Sequence, residues 1–238
     1  MTLYFIMLAT VVSTLLGGLV AFRYKKFAHI FTGLTAGTLL AVIFLEILPE
    51  IIEMQEGSSM PLLFVLFGFI LFHVVEKIFS LHHSHEDGHH GHHHVASKKV
   101  GAIALIIHSF FDGLSIAVAY KVSPEFGFLL ALAVIAHDFS DGFNTVSLTD
   151  RSSKSKFYLA IDAIAPVLGV LIGTLIFIPD AFLAPILGIC AGILLYVCTG
   201  DVLPEAHCDK PRHTVEHLFA LCAGVAYIVL IITLLPVL

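Results

Sequence analysis

His108, Asp112, His137 and Asp141 belong to two copies of one pattern, His108-Ser-Phe-Phe-Asp112-Gly113 and His137-Asp-Phe-Ser-Asp141-Gly142, each inside an otherwise apolar stretch. In both copies an imidazole and a carboxylate are four residues apart, so on a helix they share one face, roughly 6 Å apart along the axis. Two such helices side by side present an N2O2 donor set suited to a borderline divalent ion such as Zn²⁺, with two carboxylates to match its charge. An ionised Asp in a bilayer costs roughly 2.5–3.5 kcal/mol on insertion scales, and the same two segments also hold Asp138. Acids kept at that cost point to function.

Neighbouring polar residues extend the set. Asp138 points about 100° away from His137 around the helix, which makes it a ligand of an adjacent ion or a group supporting the first. Ser109 occupies the equivalent place in the other copy, where its hydroxyl either ligates or bonds back to the backbone. Asn144 continues the His137 and Asp141 face and offers a neutral oxygen. His73 and Glu76 read as a polar pair at a helix end rather than as ligands.

The segments that carry these residues must cross a membrane. The chain is 58% hydrophobic and only 13% charged, with no polar block long enough for a separate domain. A crossing helix needs about 20 apolar residues, and eight windows qualify, at about 3–22, 29–48, 61–80, 99–120, 126–148, 158–178, 181–203 and 214–237. The expected fold is an all-α polytopic membrane protein, a single transmembrane domain over residues 1–238. The first window has no basic residues before it, and Arg23, Lys25 and Lys26 follow it, so it reads as an uncleaved span rather than a signal peptide. Lys and Arg are retained on the cytoplasmic side. With both termini outside, Arg23, Lys25, Lys26, Lys77, Lys98, Lys99, Arg151, Lys154, Lys156, Lys210 and Arg212 all face the cytoplasm, and only Lys121 does not. The net charge of −6 reflects acids in the segments and at their mouths and says little about partners. Cys190, Cys198, Cys208 and Cys222 have no framework spacing and are expected as free thiols.

A second duplication sets the organisation. Gly37 to Glu50 in the second segment aligns without gaps on Gly192 to Glu205 in the seventh, pairing Glu46 with Asp201, Pro49 with Pro204 and Glu50 with Glu205. Since the two segments run in opposite directions, the copies are inverted, as are the His/Asp copies in segments four and five. Inverted repeats around polar sites near the midplane are the mark of a transporter working by alternating access. The expected plan is three helices, a central pair, and three helices inverted relative to the first. Glu46 and Glu50 then lie towards the outer mouth and Asp201, Glu205 and His207 towards the inner one, with Asp162 lining the exit. A Pro-Glu pair that simply ends a helix at the interface is the plainer reading of Glu50 and Glu205.

Between segments three and four, the loop 81–98 contains His82, His83, His85, His89, His90, His92, His93 and His94, and the tract 82–94 has no apolar residue to pack. Neutral imidazoles are good transition-metal ligands, so a flexible tract of this kind captures ions in many interchangeable geometries. It reads as a cytosolic buffer or sensor.

Taken together, the chain resembles the ZIP family, the Zrt- and Irt-like metal permeases, over essentially its whole length. The resemblance rests on the eight spans, the His-rich loop after the third, the two His-to-Asp-Gly motifs, and the Leu-Pro-Glu ends of segments two and seven. It implies uptake of Zn²⁺, and in many members Fe²⁺, Mn²⁺ or Cd²⁺, into the cytosol, as cargo rather than as cofactor. It also implies that His108, Ser109, Asp112, His137, Asp138 and Asp141 form one or two adjacent metal sites. Ser109 stands where many members have Asn, and Phe111 and Ser140 where many have Pro. Bending at the centre would then depend on Gly113 and Gly142.

Other classes fit less well. An intramembrane zinc hydrolase holds its metal with three protein ligands and an open position, commonly with several histidines, whereas this chain offers two near the midplane and its inverted repeats would be unexplained. An effluxer of the cation-diffusion type pairs His and Asp and carries a His loop, but does not account for eight spans. The partners expected are divalent metal ions and the lipid bilayer, with a homodimer allowed and no nucleic acid. The compact loops favour a prokaryotic plasma membrane.

Overall fold

The computed structural model describes residues 2–24, 28–56, 60–84, 93–149, 153–202 and 211–234, and every regular element among them is helical. Eight helices are long and apolar enough to cross a membrane, as expected. They are α1 (Thr2–Arg23), α2 (Ala28–Val42, continuing to Glu53), α3 (Pro61–Ser84), α4 (His93–Val122), α5 (Pro124–Leu148), α6 (Ser153–Leu175), α7 (Leu183–Val197, continuing to Val202) and α8 (Pro211–Leu234).

Two of the helices contain a π turn, and the sequence explains the one in α2. Pro49 has no N–H to donate to the carbonyl of Leu45, and its ring crowds that carbonyl. The helix widens just before it, over Ile43–Ile47, with the Leu48 N–H donating to the Ile43 carbonyl. In α7 the π turn covers Cys198–Val202, the positions that align with Ile43–Ile47 in the internal duplication. Glu46 lies in the first turn and Asp201 in the second.

Helices α1, α4, α5 and α6 pack together as one group, while α2 pairs with α8 and α3 with α7. The pairs meet the group through α2 on α5 and α7 on α4. Close approach depends on glycine, because a side chain there would strike the facing backbone. A methyl group on Gly142 would collide with the Thr14 carbonyl, and one on Gly17 with the Phe139 carbonyl. The α4–α6 contact has the same reciprocal form, Gly113 against Pro166 and Gly169 against Phe110. The motif glycines Gly113 and Gly142 therefore seat neighbouring helices, within α4 and α5 that are assigned as continuous α-helix.

Burial separates the centre from the periphery. Of its most apolar window, 72% of α5 is buried, against 22% for α3 and for α8. The exposed faces of the outer helices carry Leu63, Leu66, Phe67, Phe219 and Leu230, suited to lipid. Cys190, Cys198 and Cys222 are free thiols, and Cys208 lies outside the described residues.

Candidate metal centre

A tight reversal sets the register of the two motifs. Helix α4 ends at Val122 and α5 begins at Pro124, with Ser123 alone between them. Ser123 is extended, and its hydroxyl accepts a 3.1 Å hydrogen bond from the Phe126 N–H, capping α5, while Pro124 fits the first helical position, where no N–H is needed. In such an antiparallel hairpin, residues equally far from the turn face one another. His108 and His137 lie fifteen and fourteen residues from Ser123, so they stand at one level. Asp112 is then one turn nearer the reversal and Asp141 one turn further away.

The side chains meet accordingly. The two imidazoles have centroids 5.7 Å apart and planes inclined by 29°. Asp112 Oδ2 lies 3.2 Å from both His108 Nε2 and His137 Nε2, and Asp141 Oδ2 lies 3.6 Å and 3.7 Å from the same nitrogens. All four donor atoms fall within 4.8 Å of one another, and all four residues are buried. A tetrahedral Zn²⁺ site with bonds of about 2.0–2.2 Å has edges of roughly 3.3–3.6 Å, which the four His–Asp distances bracket.

The hydrogen-bond inventory points the same way. His137 Nδ1 lies 3.0 Å from the Ala133 carbonyl, to which it donates. Its Nε2 therefore presents a lone pair in the neutral ring, facing a carboxylate oxygen at 3.2 Å. Two acceptors at that separation need a cation or a proton between them. Neither nitrogen of His108, nor either oxygen of Asp141, has a hydrogen-bond partner, and Asp112 Oδ1 also lacks one. Buried polar atoms are ordinarily satisfied, and the unpartnered His108 Nε2 and Asp141 Oδ2 are two of the four atoms that converge, as a cation site requires.

Around the four, the structure gives distinct places to the other expected residues. Ser109 and Asp162 are joined by a 2.7 Å hydrogen bond to Asp162 Oδ1, and Thr145 donates to Asp162 Oδ2 at 2.8 Å. Asp162 is fully buried and tied to both α4 and α5, beside the ligand set. Thr145 was not singled out from the sequence. Its only signal there is that it lies one helical turn beyond Asp141. Asp138 is completely buried with no hydrogen-bond partner for either oxygen, and Asn144 is buried nearby on the same helix. Asp138 does not belong to the converging group of acids and histidines. His73 and Glu76 form a polar set through Tyr196, whose hydroxyl donates to Glu76 at 2.6 Å and lies 3.1 Å from His73 Nδ1.

At the end of α2, Glu46 and Glu50 line a cavity of about 680 Å³ together with Glu125, Tyr120 and Ser123. Glu125 comes from the first turn of α5 and was not anticipated, because only the fold brings it to these acids. The side chains of Asp201 and of His82, His83, His93 and His94 lie outside the described residues, as do Glu205, His207, His85, His89, His90 and His92.

No curated protein was found to match the chain. The family model for the ZIP zinc transporters matches residues 1–103 and 100–232, nearly the whole sequence. With eight apolar spans and a buried His/Asp centre of the kind a divalent ion requires, the chain belongs to the ZIP zinc transporter family, whose members move divalent metals across membranes.

Proposed function

We propose that this chain carries Zn²⁺ into the cytoplasm through the centre formed by His108, Asp112, His137 and Asp141. The observation that carries the reading is the convergence of four buried donor atoms, with His–Asp separations of 3.2–3.7 Å, from α4 and α5. Two imidazoles and two carboxylates favour a borderline ion over the harder Mg²⁺ and Ca²⁺, which prefer oxygen alone. Fe²⁺, Mn²⁺ and Cd²⁺ are the competing cargoes. The glycine contacts and π turns, matched across the internal duplication, fit a carrier built from inverted repeats.

In this reading both termini are outside, and Glu46, Glu50 and Glu125 form an outer vestibule that concentrates cations. The ion then exchanges its water for the four ligands. Ser109, Thr145 and Asp162 keep α4, α5 and α6 in register around it, and Asp138 with Asn144 offers oxygens for an adjacent ion. Asp201, Glu205 and His207 line the inner exit, and the His tract buffers the released ion. An inside-negative potential favours entry of a divalent ion by about 4.6 kcal/mol per 100 mV, twice the single-charge value. Release requires the site to open on the inner side, helped by protonation of the ligands.

The motion proposed is alternating access in a 3+2+3 inverted repeat. Supporting it, α1 on α5 resembles α6 on α4, and α2 on α8 resembles α7 on α3, down to matching glycines. Gly37 faces the Leu221 carbonyl and Gly224 the Leu34 carbonyl, as Gly192 faces Val65 and Gly68 faces Ile189. The α1–α4–α5–α6 group can then shift against the α2–α8 and α3–α7 pairs as one body.

The test is uptake of Zn²⁺ by proteoliposomes under an inside-negative potential, with the other metals as competitors. Uptake blocked by excess Zn²⁺ and absent from Asp112→Asn vesicles supports the proposal. Uptake of only Mg²⁺ or Ca²⁺, or efflux alone from right-side-out vesicles, would overturn it.

A further inference from the structure

Outside the His/Asp centre, a second group of metal-ligating side chains meets where α2 and α8 begin. His29, His213 and Glu216 each offer a donor atom, and these three atoms lie within 4.8 Å of one another. His29 Nε2 is 2.8 Å from Glu216 Oε2, and the His29 and His213 rings stack with centroids 4.4 Å apart and planes 14° from parallel. The residues come from opposite ends of the chain, 187 positions apart in the closest contact. Two helix starts on one membrane face are thus brought together around nitrogen and oxygen donors. It is the face on which the His tract begins, since α3 ends there.

We propose that His29, His213 and Glu216 form a second site for a divalent transition-metal ion, distinct from the transport centre. Two imidazoles and one carboxylate are a donor set of the kind used for Zn²⁺ with water in the fourth position. The site is graded in burial as an accessible metal site needs to be, with His29 only 9% exposed and the Glu216 side chain 33% exposed. His217, one turn after His213, donates from Nδ1 to the His29 carbonyl at 3.0 Å and anchors the start of α2 against α8. Gly33, one turn into α2, admits the His217 backbone closely, so the two helix starts are held rather than merely adjacent.

Without metal, the His29 Nε2–H donates to Glu216. On binding, the ion takes the place of that hydrogen, the neutral ring carrying its one hydrogen on Nδ1 instead, and the 2.8 Å separation opens to roughly 3.3 Å as both atoms turn to the ion. His213, partly exposed, already has a ring nitrogen within reach of the same point. An ion held here clamps α2 to α8. Two residues further along α2, the Phe31 carbonyl accepts a 3.1 Å hydrogen bond from Ser140, between Phe139 and Asp141 of the second motif. The clamp therefore sits beside the seam where α2 meets the ligand-bearing α5, and its chemistry is that of a metal-responsive brace.

Metal binding to the purified full-length chain in nanodiscs tests this without any transport measurement. The background protein has Asp112 and Asp141 and the histidines of the tract replaced by Asn, so neither the transport centre nor the tract competes. One residual equivalent of Zn²⁺ is expected, and Co²⁺ in its place should give the intense visible bands of a low-coordinate site with nitrogen ligands. His213→Ala and Glu216→Gln should each weaken it by more than the roughly 10- to 100-fold that loss of an outer-shell partner costs. Both positions are partly exposed, so the variants should remain monodisperse, and Glu216→Gln preserves shape if His213→Ala does not fold. No residual equivalent, or one that both substitutions leave unchanged, would overturn the proposal. Failure of the transport reading would appear separately, as absent uptake by the unmodified protein.

Discussion

His137 Nε2 faces Asp112 Oδ2 at 3.2 Å across the seam between α4 and α5, while its other ring nitrogen is committed to the Ala133 carbonyl. The pairing fixes the tautomer of the imidazole and aims its lone pair at the point shared with His108 and Asp141. A metal ligand whose second nitrogen is held by a backbone carbonyl is oriented before the ion arrives. Pre-orientation of this kind lowers the ordering cost of binding.

Removing either carboxylate should therefore abolish transport. Asp112→Ala and Asp141→Ala each delete a ligand and half of the compensating charge, and uptake should fall more than about 100-fold, beyond the usual cost of an outer-shell change. The variants should still insert, which surface labelling and gel filtration would verify. Near-normal uptake by either would remove the site assignment.

Binding at the centre should strengthen as pH rises. Metal ligation needs deprotonated ligands, so protons and Zn²⁺ compete, and affinity falls on acidification. Calorimetry in buffers of different ionisation enthalpy should count the protons released. Affinity that is the same at acid and at neutral pH would argue against titratable ligands at the centre.

Asp162 depends on two hydroxyl donors, and its loss of either should be measurable. Ser109→Ala or Thr145→Ala leaves one carboxylate oxygen unpaired in a buried place, at a cost of about 1–3 kcal/mol each. Thermal melts in detergent should show both single variants less stable than the parent. The double variant should depart from additivity, because the two donors share one acceptor group.

The motif glycines should resist enlargement. Gly142→Ala pushes a methyl group into the Thr14 carbonyl and Gly113→Ala into that of Pro166. Overpacking of this type costs about 1–3 kcal/mol. Gly200→Ala is the control, since its nearest neighbour is the Tyr196 ring at 3.5 Å, an ordinary contact. Equal stability of all three variants would contradict the close packing of α1 on α5 and of α6 on α4.

Positions 46 and 201, matched in the internal duplication, should open to opposite sides. Cys at each, in a background without native thiols, should react with impermeant reagents from outside and from inside respectively, with reactivities that shift reciprocally when metal is added. Labelling of both from one side would contradict the topology. Labelling indifferent to metal would indicate a pore.

Much of the protein was legible because helix periodicity and bilayer thickness are local rules. The spans followed from runs of about 20 apolar residues. That His108 shares a face with Asp112, and His137 with Asp141, followed from the four-residue spacing alone. The alignment of Glu46 with Asp201 anticipated matched positions, and the π turns fall on those same stretches. The one-residue link at Ser123, which sets the level at which the two histidines meet, was not legible, since the apolar windows 99–120 and 126–148 leave a longer gap between the two spans.

What the spacing could not decide was which face of one helix meets which face of another. That depends on where backbones approach closely, at pairs such as Gly17 with Gly142 and Gly113 with Gly169, and on side chains far apart in the chain. Asp162 reads as an exit residue from its place about one turn inside the cytoplasmic end of its helix; its bonds to Ser109 and Thr145 came only with the packing of α6 on α4 and α5. Glu125 joined Glu46 and Glu50, and His29 met His213 and Glu216, only through the same docking. The sequence by itself determined the membrane class, the two donor pairs and their chemistry, since these arise within single helices. Tertiary structure alone decided that the pairs close around one point and which polar groups surround them, because contacts between helices are set by shape complementarity across the bundle and not by any period along the chain.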